Sequence, residues 1–179
     1  MKRCKWCNKK NDIYVSYHDN EWGILNLDDT YLFEMLILEM FQSGLSWECI
    51  LNKRKYFKVA YDNFDINKVL LYDDEKINEL MNNKNIIRNK LKIISSINNA
   101  KIFKNLKDEY GSFHNYLKMF TNDLVIYEND KTTSKLSDEI SKDLKSRGMK
   151  FVGSTIIYSY LQAIGIINSH DNACYKFKK

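Results

Sequence analysis

Proline is absent from the 179 residues, where average usage of about 5% would supply roughly nine. With Asn, Lys, Ile and Tyr abundant, this absence reflects biased codon usage and says little about function. No apolar run approaches the about 20 residues needed to span a bilayer, which excludes a membrane-spanning helix. The opening MKRCKWCNKK lacks the apolar stretch of a secretory signal, so a cytoplasmic protein is expected. In that reducing compartment the four cysteines are not expected to pair as disulfides, and Cys4, Cys7, Cys49 and Cys174 need a metal site or plain burial to account for them. Internal repeats and low-complexity tracts are also missing, which argues against a solenoid or a disordered linker.

What is present describes a globular chain. Apolar residues make up 44% and charged residues 28%, far from the composition of disorder. At this length one well-buried core forms more readily than two, so residues 1–179 are expected to be a single domain in which both ends can converge on one site. Twenty-eight Lys and Arg against 23 Asp and Glu give a net charge of +5, compatible with a polyanionic partner and equally common in proteins that never touch one.

Hydrophobic periodicity points to helices. Leu32, Phe33, Leu36, Ile37, Met40 and Phe41 recur at three-to-four spacing behind Asp28, Asp29 and Thr30, any of which can cap a helix start. A second helix starts at Ser46 and carries Trp47, Ile50 and Leu51, with Cys49 as packing. Amphipathic runs follow through Ile77 to Met81, Ile86 to Phe103, Phe113 to Phe120, Leu136 to Leu144 and Thr155 to Ile164. No alternating run of real length argues for a sheet, and the connections are short, built on Asn-Asp, Asp-Asp and Asn-Asn pairs in place of Pro-Gly turns.

Five residues near the two ends can ligate zinc: Cys4, Cys7, His18, His170 and Cys174. Zinc takes four such ligands as a tetrahedron. Cys4, Cys7, His170 and Cys174 would make a Cys3His site; Cys4, His18, His170 and Cys174 is the competing set; buried thiols and hydrogen-bonded histidines without metal are the plain alternative. A closed four-ligand site would be structural and would pin the two termini together.

Between residues 14 and 22, YVSYHDNEW sets two tyrosines and a tryptophan among hydrogen-bonding groups. Such a segment either covers a small core or makes a slot for a planar base. Glu39, inside the apolar run LILEMF, must face solvent, pair with a cation or line a pocket, where it would select a cationic or hydrogen-bond-donating ligand.

The segments YHDNEWG (17–23), LFEMLILEMFQSGLSW (32–47) and KFVGSTIIYSYLQAIG (150–165) together resemble the 3-methyladenine DNA glycosylase I family, over nearly the whole chain. The resemblance implies an all-helical fold of the helix-hairpin-helix DNA glycosylase superfamily, and a monomer that turns a damaged nucleotide of alkylated double-stranded DNA into a pocket. It implies structural Zn2+ on Cys4, His18, His170 and Cys174, leaving Cys7 as an extra thiol. The base pocket falls on Glu39, Tyr14, Tyr17 and Trp47, with Trp6 and Trp22 as further walls, and any chemical role of a side chain on Glu39.

RGMKFVG (147–153) looks like the hairpin of the motif, with Gly148 and Gly153 permitting a tight turn and backbone N–H groups binding a DNA phosphate. Lys145, Arg147 and Lys150 would contact phosphates. Leu45 is either a wedge into the base stack or a residue packed under a helix start. The catalytic aspartate of many superfamily relatives is missing, and Asp171, beside a metal ligand, is a poor substitute. The family usually has small or polar residues where Met40 and Phe41 stand, which implies a different pocket floor or DNA-facing loop. Against this reading stand a glycosylase for another alkylated base, a silent damage-binding protein and a zinc-stabilised interaction module.

Overall fold

A computed structural model of the chain describes residues 1–177. In chain order it consists of α1 (Asp12–Asn20), α2 (Asp29–Gln42), α3 (Trp47–Ala60), the short α4 (Ile66–Val69), α5 (Asp74–Asn82), α6 (Lys90–Tyr110), α7 (Phe113–Thr121), β1 (Ile126–Tyr127), α8 (Lys135–Ser146), α9 (Ser154–Ala163) and β2 (Ile167–Asn168), with a single 3-10 turn at Asp62–Phe64.

The caps explain how a chain without proline punctuates its helices. Asp28 accepts the Tyr31 N–H at the start of α2, and Ser46 accepts the Cys49 N–H at the start of α3. Asn11, Asn89 and Ser112 do the same for α1, α6 and α7. Short Asn, Asp and Ser side chains satisfy amides that have no intrahelical partner. Asn and Asp also fill left-handed positions at residues 62, 63, 122, 123 and 130, because their side chains tolerate that conformation better than most.

α2 is the axis of the core. Every residue from Leu32 to Phe41 is buried, the mark of a helix surrounded on all sides, and α3, α6, α7 and α9 pack against it. The sequence pattern placed the start of α6 too early: Ile86 and Ile87 precede it, and Asn89 opens the helix, although Ile86 still lies in the core. The aromatic segment 14–22 lies mostly on α1, with Tyr14, Tyr17 and His18 buried.

One feature departs from the expected absence of sheet. β1 and β2 pair in parallel, Ile126 with Ile167 and Tyr127 with Asn168. Two residues per strand are too few for alternation to show in a sequence. The pair ties the stretch before α8 to the chain leaving α9. That chain passes the loop after α1 at Gly165, whose φ of +79° and close approach to the Ile24–Leu25 backbone leave no room for a Cβ. Among the described residues no helix is long and apolar enough to cross a membrane.

Candidate active site and metal centre

Beside the main core lies a smaller apolar cluster made of Cys4, Tyr14, Tyr17, Trp22, Leu51 and Cys174, with Trp6 and Trp47 against it. It encloses a cavity of about 290 Å³. All six residues expected at a base pocket, Trp6, Tyr14, Tyr17, Trp22, Glu39 and Trp47, line it. α1 supplies the tyrosines, the last turns of α2 supply Glu39, and Trp47 opens α3, directly after the Ser46 cap. Trp6 meets Trp22 edge to face at 4.8 Å and Tyr14 at 5.3 Å, while Tyr17 and Trp47 stand 5.4 Å apart between centroids.

Two carboxylates of α2 show why Glu39 differs from an ordinary buried acid. Glu34, 4% exposed, is held by Arg54, whose Nε lies 2.8 Å from one oxygen and which also reaches Glu21 at 2.6 Å; Lys58 sits 3.4 Å away. Glu39, 3% exposed, has no such cation, and its Oε2 finds no hydrogen-bond partner among the described residues. Burial alone pushes its carboxyl up to about 8. The Tyr17 hydroxyl is likewise buried without a partner, and burial holds it well above the ordinary tyrosine range, as burial holds Tyr14 at about 12. Both phenols therefore remain neutral. Buried polar groups are normally satisfied, so two orphans facing one aromatic cavity mark a place for a polar, planar ligand.

Several lining residues carried no sequence signal. Gln42, Ser159, Gln162 and Ser169 join the wall, the first one turn beyond Glu39, the next two on α9 and the last directly after β2. Met40 and Phe41 do not. Both are fully buried in the main core, Phe41 against Phe57 at 4.9 Å; helical rotation turns them away from the face that presents Glu39 and Gln42. Of the two changes implied for these positions, the one in the pocket floor is not met, and the one in the DNA-facing loop is left. Asp171 reaches the cavity, but its carboxylate accepts the Lys5 N–H at 2.6 Å.

Cys4, His18, His170 and Cys174 form the other half of the site. All four are buried, and their ligand atoms lie within 4.8 Å of one another. Cys4 Sγ is 3.3 Å from His170 Nδ1, and Cys174 Sγ is 3.4 Å from His18 Nε2 and 3.6 Å from His170 Nδ1. A tetrahedron with bonds of 2.0 to 2.3 Å has edges of about 3.6 Å, so the cluster has the size of a metal site. Cys7 stands outside it, its thiol turned to the Tyr14 carbonyl at 3.9 Å. Between the two sets open from spacing, the structure brings together the one with His18.

The surroundings suit a cation. His18 Nδ1 lies 2.8 Å from Asp19, whose carboxylate takes two donors from Arg3. The Arg3 hydrogen bond, with help from His18, holds Asp19 far below the usual carboxylate range. An outer carboxylate of this kind fixes the tautomer of a ligating imidazole. Burial pushes the Cys4 thiol up to about 12, so its thiolate persists at neutral pH only beside a positive charge. Burial, reinforced by His18, lowers His170 to about 4 and keeps it neutral, as ligation requires. The same two imidazoles back the pocket: His18 is 5.3 Å from Trp6, and His170 meets Trp22 edge-on at 4.7 Å.

Two further segments carry the remaining sequence candidates. The turn Ser43–Ser46 between α2 and α3 leaves Leu45 41% exposed, so it is not packed under the start of α3. The connection from α8 to α9 is a tight hairpin, with Gly148 at φ +94° and Phe151 also left-handed. Its amides are largely used internally: Gly148 N–H donates to Lys145, and Lys150 N–H donates to the Asn99 side chain at 2.9 Å. Arg147 is engaged by Asp143 and Glu109 at 2.8 and 2.9 Å and by the Tyr110 hydroxyl. Lys150 keeps an exposed side chain. Gly153 caps α9 without any side-chain hydrogen bond, leaving the amides of its first turn directed outward.

A sequence profile described as methyladenine glycosylase matches residues 6–178. The DNA-3-methyladenine glycosylase 1 of Escherichia coli strain K12 is 39% identical over 181 aligned residues, covering 97% of this chain and 96% of that protein. A crystal structure described as 3-methyladenine DNA glycosylase I superposes with a TM-score of 0.94 at 35% identity, covering 99% of this chain and all of that one. The Staphylococcus aureus enzyme, solved for the structural basis of 3-methyladenine recognition, gives 0.93 at 31% identity, covering all of this chain and 98% of that one. With sequence and fold matched over nearly its whole length, the chain belongs to the methyladenine glycosylase family.

Proposed function

We infer that this protein hydrolyses the N-glycosidic bond of 3-methyladenine in alkylated double-stranded DNA, as one domain that receives the flipped base in the aromatic cavity. The observation that carries the reading is Glu39: a carboxyl buried without a partner inside an aromatic slot. Methylation at N3 gives the base a positive charge and makes it a better leaving group. The ring faces of Tyr17, Trp47, Trp6 and Trp22 attract such a cation by roughly 0.5–2 kcal/mol for each well-placed face. Tyr14 completes the wall.

In the empty cavity Glu39 keeps its proton up to about pH 8. A cationic base beside it favours the carboxylate, which accepts a hydrogen bond from the amino edge, while Tyr17 supplies a neutral hydroxyl. When the bond to the sugar breaks, its electron pair returns to the purine and cancels the positive charge. Water adds to the sugar carbon and loses a proton, with no dedicated base beyond Glu39 or the DNA phosphates.

Cys4, His18, His170 and Cys174 would hold Zn2+, whose role when bound is structural: it closes the chain ends behind Trp6 and Trp22. Leu45 acts as the wedge in the vacated stack. The α8–α9 segment serves as the helix-hairpin-helix element. Gly148 supplies its turn and Lys150 an exposed cation, and the phosphate is taken by N–H groups at Gly153 and the first turn of α9. The N–H groups of Gly148, Met149 and Lys150 are already bonded inside the protein, which favours the later end of the 147–153 segment for the phosphate.

The test is release of bases from methylated duplex DNA, separated by chromatography. Free 3-methyladenine without 7-methylguanine is the expected result; no released base from folded, metal-loaded protein would sink the reading.

A further inference from the structure

Lys92 is a buried lysine in the first turn of α6, 6% exposed, and it is not among the residues that line the cavity. Its ammonium donates to two main-chain oxygens, the Phe41 carbonyl at 2.8 Å and the Ser43 carbonyl at 2.6 Å. These are carbonyls at the C-terminus of α2, where no intrahelical amide is available and a positive charge is favoured. Burial lowers the lysine's own proton affinity, so holding an ammonium here carries a desolvation cost that a glycine cap would avoid.

The purpose of that cation follows from what it holds. Residues 43–46 are exposed, and a side chain placed at Gly44 would meet nothing within 4 Å. Packing therefore does not fix this turn. Its internal bonds are the Leu45 N–H to Gln42 at 2.6 Å and the longer Ser43 N–H to Met40 at 3.4 Å; apart from the Ser46 cap on α3, the hydrogen bond that fastens it to another element among the described residues comes from the Lys92 ammonium. The turn carries Leu45, the inferred wedge, and Trp47, a wall of the pocket, follows directly after it.

The same face of α6 also holds the hairpin. Asn99, two turns along, gives and takes hydrogen bonds with the Lys150 main chain at 2.8 and 2.9 Å, and Asn98 donates to the Gly148 carbonyl at 3.0 Å. The Lys92 ammonium lies 6.0 Å from the Phe151 ring. Spacing of seven residues keeps Lys92 and Asn99 on one side of the helix. α6 thus sets the distance between the turn that carries Leu45 and the segment that takes a phosphate.

We propose that Lys92 is a positioning residue for base excision: by clamping the Phe41 and Ser43 carbonyls it holds Leu45 in the register needed to enter the base stack while the hairpin is seated on the backbone. The proposal rests on the excision reading and on Leu45 as the wedge.

A double-mutant cycle tests it. Single-turnover excision from methylated duplex DNA is measured for wild type, Lys92→Met, Leu45→Ala and the double variant, with binding of free 3-methyladenine followed by tryptophan fluorescence. If Lys92 works through Leu45, Lys92→Met slows excision about tenfold in the wild type and no more than about twofold in the Leu45→Ala background, a coupling within the range of contacting elements. Free-base binding stays within about twofold in both. Equal losses in the two backgrounds, a matching loss of free-base binding, or no loss at all would overturn the assignment. Should Lys92→Met not fold, Lys92→Gln, which still donates to one carbonyl, carries the same cycle. An inactive wild type would instead refute the excision reading itself.

Discussion

Replacing Glu39 by glutamine should make the protein more stable, and increasingly so as pH rises. The ordinary glutamate value of 4.5 becomes about 8 in the fold, and each pH unit is worth about 1.4 kcal/mol. Ionising Glu39 in the empty cavity therefore costs about 5 kcal/mol more than ionising it in the unfolded chain. Between 4.5 and 8 the folded protein binds more protons than the unfolded one, so this group makes stability fall with rising pH, and the fall levels off above about 8. Glutamine keeps the shape and carries no charge. The advantage of Glu39→Gln over wild type should grow by about 4 kcal/mol between pH 5 and pH 9. Denaturant unfolding of both proteins at pH 5, 7 and 9 reads it directly. The variant should also lose excision of the cationic base, since an amide cannot supply the negative charge. A stability difference independent of pH would show that Glu39 is hydrated and ionised in the fold, and the desolvation argument would fail. Retention of most activity would remove its charge from the mechanism.

Four further outcomes follow from the geometry. Asp19→Asn leaves the four metal ligands in place but weakens the orientation of His18, and should lower metal affinity about 10- to 100-fold in a chelator competition; unchanged affinity would mean that Asp19 serves Arg3 alone. Stripping the metal should shift tryptophan emission toward that of exposed indole, because Trp6 and Trp22 rest on His18 and His170, and should lower the melting temperature; an unchanged spectrum would separate the metal centre from the pocket wall. Trp47→Ala should weaken free 3-methyladenine binding by roughly 0.5–2 kcal/mol, measured by calorimetry, with little change in folding since Trp47 is only half-buried. Gly165→Ala puts a Cβ into the Ile24–Leu25 backbone at a left-handed position and should cost about 4 kcal/mol or more, visible as a large loss in denaturation midpoint; a loss under 1 kcal/mol would show that the two chain segments can part.

Much of this protein is determined locally and could be read from the chain. The caps at Asp28 and Ser46 and the periodicity behind them fix α2 and α3, because helix starts and apolar faces depend on neighbours three or four residues away. Composition excluded a membrane-spanning helix, and the strings around His18, Glu39 and Trp47 carried the family. The aromatic residues that line the cavity were named through the family resemblance, because YVSYHDNEW by itself fits a cover over a small core as well as a slot for a base.

Other properties belong only to the assembled chain. Spacing left Cys7 and His18 as equal candidates for the metal set; the turn of α1 that buries His18 beside Cys174 decided between them. Glu34 and Glu39 look alike within one apolar run, and only the reach of Arg54 across from α3 makes the first an ion pair and the second an orphan. The departure at Met40 and Phe41 fits a change in the pocket floor or in the DNA-facing loop, and the rotation of α2, which buries both in the core, excludes the first. Lys92 reads as one lysine among many on an amphipathic helix, and its burial against the end of α2 appears only when α6 is in place. A sequence records short-range pattern and residue chemistry, whereas charge pairing, desolvation and the meeting of distant carbonyls with a buried ammonium depend on which elements the fold brings within a few ångströms.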